Sequence, residues 1–166
     1  MEAESLLIGM AQIAITIAGF AAVAGSLAAR NQEGRLDADR LVIMLIYSMF
    51  ALIAALAPIS LSLFGVSEEW VWRGSAMFIL ACCAVFAPAQ VRRTIRARKH
   101  GLPLRMILSS FSLFLAGVTA YALCALNIPA GRLVATYFLG LYIGLVLSVV
   151  LLFRIVFSML RPARPD

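Results

Sequence analysis

The chain has 166 residues, of which 63% are hydrophobic and 13% charged, with a mean hydropathy of +0.99 and a formal net charge of +6. A soluble domain spreads charged side chains over its whole surface. Here they gather into short runs between long apolar stretches, so a water-solvated globule is excluded and the runs read as loops. The basic balance does not point to nucleic acid, because no basic and aromatic recognition module is present and arginine-rich loops on one side of a membrane account for it.

Five segments, 5–29, 41–65, 70–91, 104–126 and 133–157, each exceed the roughly 20 helical residues needed to cross a hydrocarbon core. They are apolar on all sides and lack the alternation of barrel strands. The expected fold class is therefore an all-α integral membrane protein, a five-transmembrane-helix bundle forming a single membrane domain.

Span one follows Met1, Glu2, Ala3 and Glu4, which offer no basic n-region, so it is expected to be retained rather than removed as a signal peptide. Apart from scattered Leu, Ile, Phe and Val it consists mostly of Ala, Gly, Ser, Thr and Gln. At about 100° per residue, Ser5, Gly9, Gln12, Thr16, Gly19, Val23 and Ser26 fall on one stripe, which Arg30 continues. Ala14, Ala18, Ala21, Gly25 and Ala28 form a small-residue seam on the opposite face. Small residues on both faces predict a central helix.

The polar stripe has two readings. In one, Gln12 and Thr16 hydrogen-bond a neighbouring helix at about 0.6–2 kcal/mol each and hold the bundle together. In the other, span one from several copies surrounds an axis, so that Ser5, Gln12, Thr16, Gly19 and Ser26 line a narrow water path with Arg30 at its mouth.

Span two contains Pro58 and span three Pro88, each expected to kink or end its helix locally. Ser67, Glu68 and Glu69 read as an N-cap with an acidic first turn before span three, and Trp70 and Trp72 suit a membrane interface. Beyond span three lies the basic loop 92–105, with Arg92, Arg93, Arg96, Arg98 and Lys99, into which the helix is expected to continue. Anionic lipid or an acidic partner is its natural contact. Asn127 and Pro129 fit the start of span five, where Gly140 and Gly144 form a GxxxG pair for packing within the chain or between copies.

Twelve of the fourteen basic residues fall in the loops after spans one and three and in the tail, leaving Arg73 and Arg132 opposite with Glu2, Glu4, Glu68 and Glu69. The positive-inside rule then sets the N-terminus outside and the C-terminus in the cytoplasm.

The span cores carry no Asp, Glu, Lys, Arg or His, the ionisable groups on which membrane enzymes and proton-coupled carriers depend. Arg154 stands near enough to the end of span five to snorkel. The one histidine, His100, lies in the basic loop, and Cys82, Cys83 and Cys124 lack metal-ligand or redox spacing. No P-loop or dinucleotide turn occurs. The expectation is a chain that is not an enzyme and holds no metal or cofactor. Its leading role is a homo-oligomeric channel or passive pore in a bacterial inner membrane, the alanine- and arginine-rich composition and compact loops pointing to that membrane. The alternative is a non-conducting assembly or accessory subunit that docks a partner or anionic lipid through its basic loop.

Overall fold

The computed structural model describes the backbone of residues 2–28, 35–99, 104–128 and 130–160, and side chains over 3–23, 42–89, 108–128 and 130–153 with Val91, Arg92 and Ile95. The chain forms α1 (Glu2–Ala28), α2 (Arg35–Ser62), α3 (Glu68–Lys99), α4 (Leu104–Ala125) and α5 (Leu133–Leu160), and the described residues contain no strand. Each helix contains a stretch long and apolar enough to cross a membrane: Ala3–Val23, Val42–Ser62, Glu68–Ala89, Leu108–Ala125 and Leu133–Phe153. Their number and order are those expected from the sequence.

Local chemistry sets the helix ends. α2 closes at Gly65, whose φ of 70° is open to a residue without Cβ. The Ser67 carbonyl accepts the first helical bond of α3 from the Val71 N–H at 3.0 Å, with Glu68 and Glu69 in the acidic first turn as expected. Asn127 differs from expectation. It takes φ 57° and donates its N–H to the Cys124 carbonyl while Ile128 donates to Leu123, the paired bonds of a Schellman motif. Asn127 thus ends α4 instead of opening α5, because its short polar side chain tolerates the left-handed conformation a C-terminal cap requires. Pro129 lies outside the described residues.

Neither internal proline ends its helix, since α2 runs on past Pro58 and α3 past Pro88. A helical proline leaves the carbonyl four residues earlier without its usual donor. For Pro58 that carbonyl belongs to Ala54, and the Tyr137 hydroxyl of α5 donates to it at 2.6 Å. With 32 residues, α3 is about 48 Å long at 1.5 Å per residue, well beyond a hydrocarbon core of about 30 Å. Its last turns carry Arg92, Arg93, Arg96, Arg98 and Lys99, as expected.

Helices α2, α3, α4 and α5 pack in a ring in which each touches the next and α5 returns to α2. Among the described residues α1 packs chiefly on α2, with a lesser contact to α5 and none to α3 or α4. The expectation of a central first helix therefore fails within the chain: α1 is at the rim, and α2 and α5 are the central pair. The reason is geometric. Among the described residues of α1 only one line, Leu7, Ala11, Ala14, Ile17 and Ala21, is buried, and it joins a single core cluster with Met44, Ala51 and Ala55 of α2 and Leu141 and Leu145 of α5. The alanines on that line leave room for close approach of the backbones.

At the end of the ring where α3 begins, aromatic rings fill the interior. Trp72 and Tyr121 each pack edge-on against the fully buried Tyr137, at centroid distances of 5.5 and 5.3 Å. Gly140 lies directly beneath Tyr121: a Cβ there would stand 3.0 Å from the ring. Gly140 thus serves packing within the chain, while a Cβ on Gly144 would meet nothing within 4 Å.

Candidate functional site

The described residues of the polar stripe on the first helix share the side of α1 turned away from the chain. At about 100° per residue, the stripe Ser5, Gln12, Thr16, Gly19 and Val23 stands about 180° from the buried line through Leu7, Ala14 and Ala21. Ser5, Gln12, Thr16, Gly19 and Val23 are exposed and Gly9 is half-buried. A Cβ added at Gly9 or Gly19 would meet open space. Leu6, Ile13 and Phe20 flank the stripe on one side and Ile8 and Ile15 on the other, all exposed. A shallow groove of small and polar groups therefore runs between two ridges of bulky apolar ones.

Among the described residues Gln12 and Thr16 do not bond a neighbouring helix. The Thr16 hydroxyl donates to the Gln12 carbonyl of its own helix at 2.8 Å, the usual recourse of threonine in an apolar helix. The Gln12 amide has no hydrogen-bond partner among the described residues. Position 12 adjoins the middle of the apolar stretch Ala3–Val23. An amide without a partner in hydrocarbon costs about 4–8 kcal/mol. This face thus carries an unmet demand for hydrogen bonds at the depth where lipid cannot supply them.

Of the other candidates, Ala18 sits half-buried beside the buried line of α1. Ser26 and Gly25 lie in the last turn of α1 and Arg93, Arg96, Arg98 and Lys99 in the last turns of α3, but their side chains fall outside the described set, and Arg30 lies outside it altogether. Arg92 is exposed. The structure thus brings Ser5, Gln12, Thr16 and Gly19 into one line and keeps Arg92 on a separate element.

The interior of a single chain carries little polar surface. Its largest fully buried side chains include Tyr137, Met44, Ile79 and Leu141, and the buried Ser75 and Ser148 return their hydroxyls to carbonyls of their own helices. Among the described residues, no three His, Cys, Asp or Glu side chains gather as metal ligands do.

Two features escaped the sequence reading. The first is a clasp at the acidic end: Arg73 donates from Nη1 to Glu69 at 2.9 Å and from Nε to the Ala125 carbonyl at 3.1 Å, while its guanidinium lies 5.1 Å from the Trp70 ring centre. Asn127 Nδ2 donates to the same Glu69 oxygen at 3.5 Å. An arginine on the side poor in basic residues thereby caps the C-terminal end of α4, where a cation meets the helix dipole favourably. The i, i+4 spacing of Glu69 and Arg73 was the available signal. The second is an open crevice of about 290 Å³ between α1, α2 and α3, which holds Glu4 and Glu68 near Ser62 and Trp72. Glu4 is therefore turned toward the crevice and away from the stripe.

No protein-family model, curated protein or solved structure matches this chain.

Proposed function

We propose that copies of this chain assemble through the outward face of α1 into a passive pore of a bacterial inner membrane. In this reading Ser5, Gln12, Thr16, Gly19 and Ser26 line the axis, and Arg30 stands at the arginine-rich, cytoplasmic mouth. In this reading the N-terminus lies outside and the C-terminus in the cytoplasm, an orientation the distribution of basic residues supports.

The single observation that carries this reading is the Gln12 amide, unpartnered near mid-span on the face opposite the chain's own core. A second copy supplies the missing donor and acceptor, since an amide is self-complementary, and the flanking ridges of Leu6, Ile13 and Phe20 supply apolar contact. A closed ring of copies turns the same groups toward water.

Planar-bilayer recording of the purified protein beside Gln12→Leu and Thr16→Leu tests the pore. Wild-type current that falls or changes selectivity in the variants is expected. Silence in all three, or identical currents, overturns it.

The length of α3 favours a second reading. A helix that extends past the hydrocarbon while carrying five basic residues is suited to dock a partner or anionic headgroups, which fits a non-conducting assembly or accessory subunit. Recovery of a stoichiometric partner from native membranes, with no flux in liposomes, would select it over the pore.

A further inference from the structure

Connections between helices are ordinarily built from small and polar residues. At the acidic end of this bundle the turn from α2 to α3 instead reads Leu63, Phe64, Gly65 and Val66, and the turn after α4 carries Leu126 and Ile128. Leu63 is 83% exposed and Phe64 79%, more than any other bulky apolar side chain among the described residues. Leu126 and Ile128 are exposed as well, and so is Trp70 in the first turn of α3, whereas Trp72 is enclosed.

These side chains have no interior to return to. Trp72, Tyr121 and Tyr137 already fill the ring at this end, whereas the ring is hollow toward its other end, where an apolar cleft of about 60 Å³ is lined by Phe50, Phe86 and Phe114 among others. The first turn is short and fixed: the Phe64 and Gly65 N–H groups donate to the Leu61 and Ser62 carbonyls, each at 3.1 Å. The clasp holds the second turn beside it. Arg73 reaches the Ala125 carbonyl and Asn127 reaches Glu69, which sets Leu126 and Ile128 next to the start of α3.

Two limits fix what covers this patch. The apolar stretch of α2 runs to Ser62, directly before Leu63, so the patch continues the lipid-facing surface of the spans without a break. It cannot sink into hydrocarbon, because the first N–H groups of α3 have no carbonyl partners within the helix and the carboxylates of Glu68 and Glu69 stand exposed beside them. Between hydrocarbon and water lies the layer that buries apolar side chains, keeps carboxylates and backbone hydrogen-bonded, and concentrates tryptophan.

We infer that both connections at the acidic end are anchors seated in the glycerol and headgroup layer of the bilayer. Leu63, Phe64, Trp70, Leu126 and Ile128 contact lipid there, and the bundle ends within that layer instead of projecting into water. The anchor is separate from the outward face of α1 and stands whether or not copies form a pore.

Fluorescence quenching of the full chain in phosphatidylcholine vesicles tests the inference. Phe64→Trp, made in a Trp70→Phe background, places an indole at the tip of the first turn, and Trp70→Phe alone measures the contribution of the enclosed Trp72. Lipid brominated near the carbonyl end of its chains should quench the new indole more strongly than lipid brominated near the methyl end, and aqueous acrylamide should quench it less than free tryptophan. The wild-type protein, whose exposed indole is Trp70, should show the same order without the turn being altered. Strong quenching by acrylamide with none by either lipid would put the turn in water, stronger quenching by the methyl-end bromines would put it in hydrocarbon, and quenching by none of the three would mean that a second copy covers it. Each of these results overturns the anchor.

Discussion

α1 and α5 both carry glycines at helical spacing among larger apolar residues, and the bundle uses them in opposite ways. On α5, Gly140 receives the Tyr121 ring, and a Cβ there would sit 3.0 Å from it. On α1, Gly9 and Gly19 face open space. α5 packs against α2 and α4 with α1 at its edge, whereas the described residues of α1 are buried only along the line through Leu7, Ala14 and Ala21. A glycine in a membrane helix permits close approach; whether the chain itself supplies what approaches depends on which neighbours the fold delivers.

The sharpest way to break this comparison is one substitution made on both helices. Gly140→Leu forces a side chain into the Tyr121 ring and should cost about 3 kcal/mol of folding stability, the upper part of the range for overpacking. Thermal unfolding in detergent measures it, and a variant as stable as the wild type would show that the α4–α5 contact is not as close as it stands.

Tyr137→Phe comes next. It strips the Ala54 carbonyl of the donor it has from across the bundle, and an unsatisfied buried acceptor costs about 1–3 kcal/mol. Pro58→Ala restores an N–H within α2, so the double variant should recover part of that loss, whereas additive costs would deny the link between the proline and the phenol.

On α1 the effect should shift from folding to association. Gln12→Leu removes the mid-span amide and should weaken pairing of copies by about 0.6–2 kcal/mol, read by energy transfer between labelled copies in liposomes, with the unfolding of the single chain unchanged. Pairing that survives intact would place the contact elsewhere.

Gly19→Leu should give the smallest effect on folding, within about 0.5 kcal/mol, as expected of a position whose side chain meets nothing in its own chain. A loss comparable to that of Gly140→Leu would mean that both helices are enclosed and would erase the contrast.

Five apolar helices, the acidic start of α3 at Glu68 and its basic extension past Arg92 were legible because each depends on residues close together in the chain. The stripe through Gln12 and Thr16 was legible too, since helical periodicity alone aligns it. Its direction was not. Asn127 misled for a related reason: as a polar residue beside Pro129 it suits either end of a helix, and only its φ of 57° and the bond from Ile128 to Leu123 decide for the end of α4.

Burial in lipid demands that backbone bonds close within each segment, and this local rule lets the sequence by itself determine five long helices and the segregation of arginines to the ends of their apolar stretches and beyond. Tertiary structure alone decided that α2 and α5 are central and α1 is at the rim, that Tyr137 serves the carbonyl opposite Pro58, and that the ring is filled at one end and hollow at the other. Those outcomes turn on which of several similar apolar faces fit together. When every span is coated in Ala, Leu, Ile and Val, hydrophobicity ranks no face above another, and the choice falls to shape and to the few hydrogen bonds that lipid cannot replace.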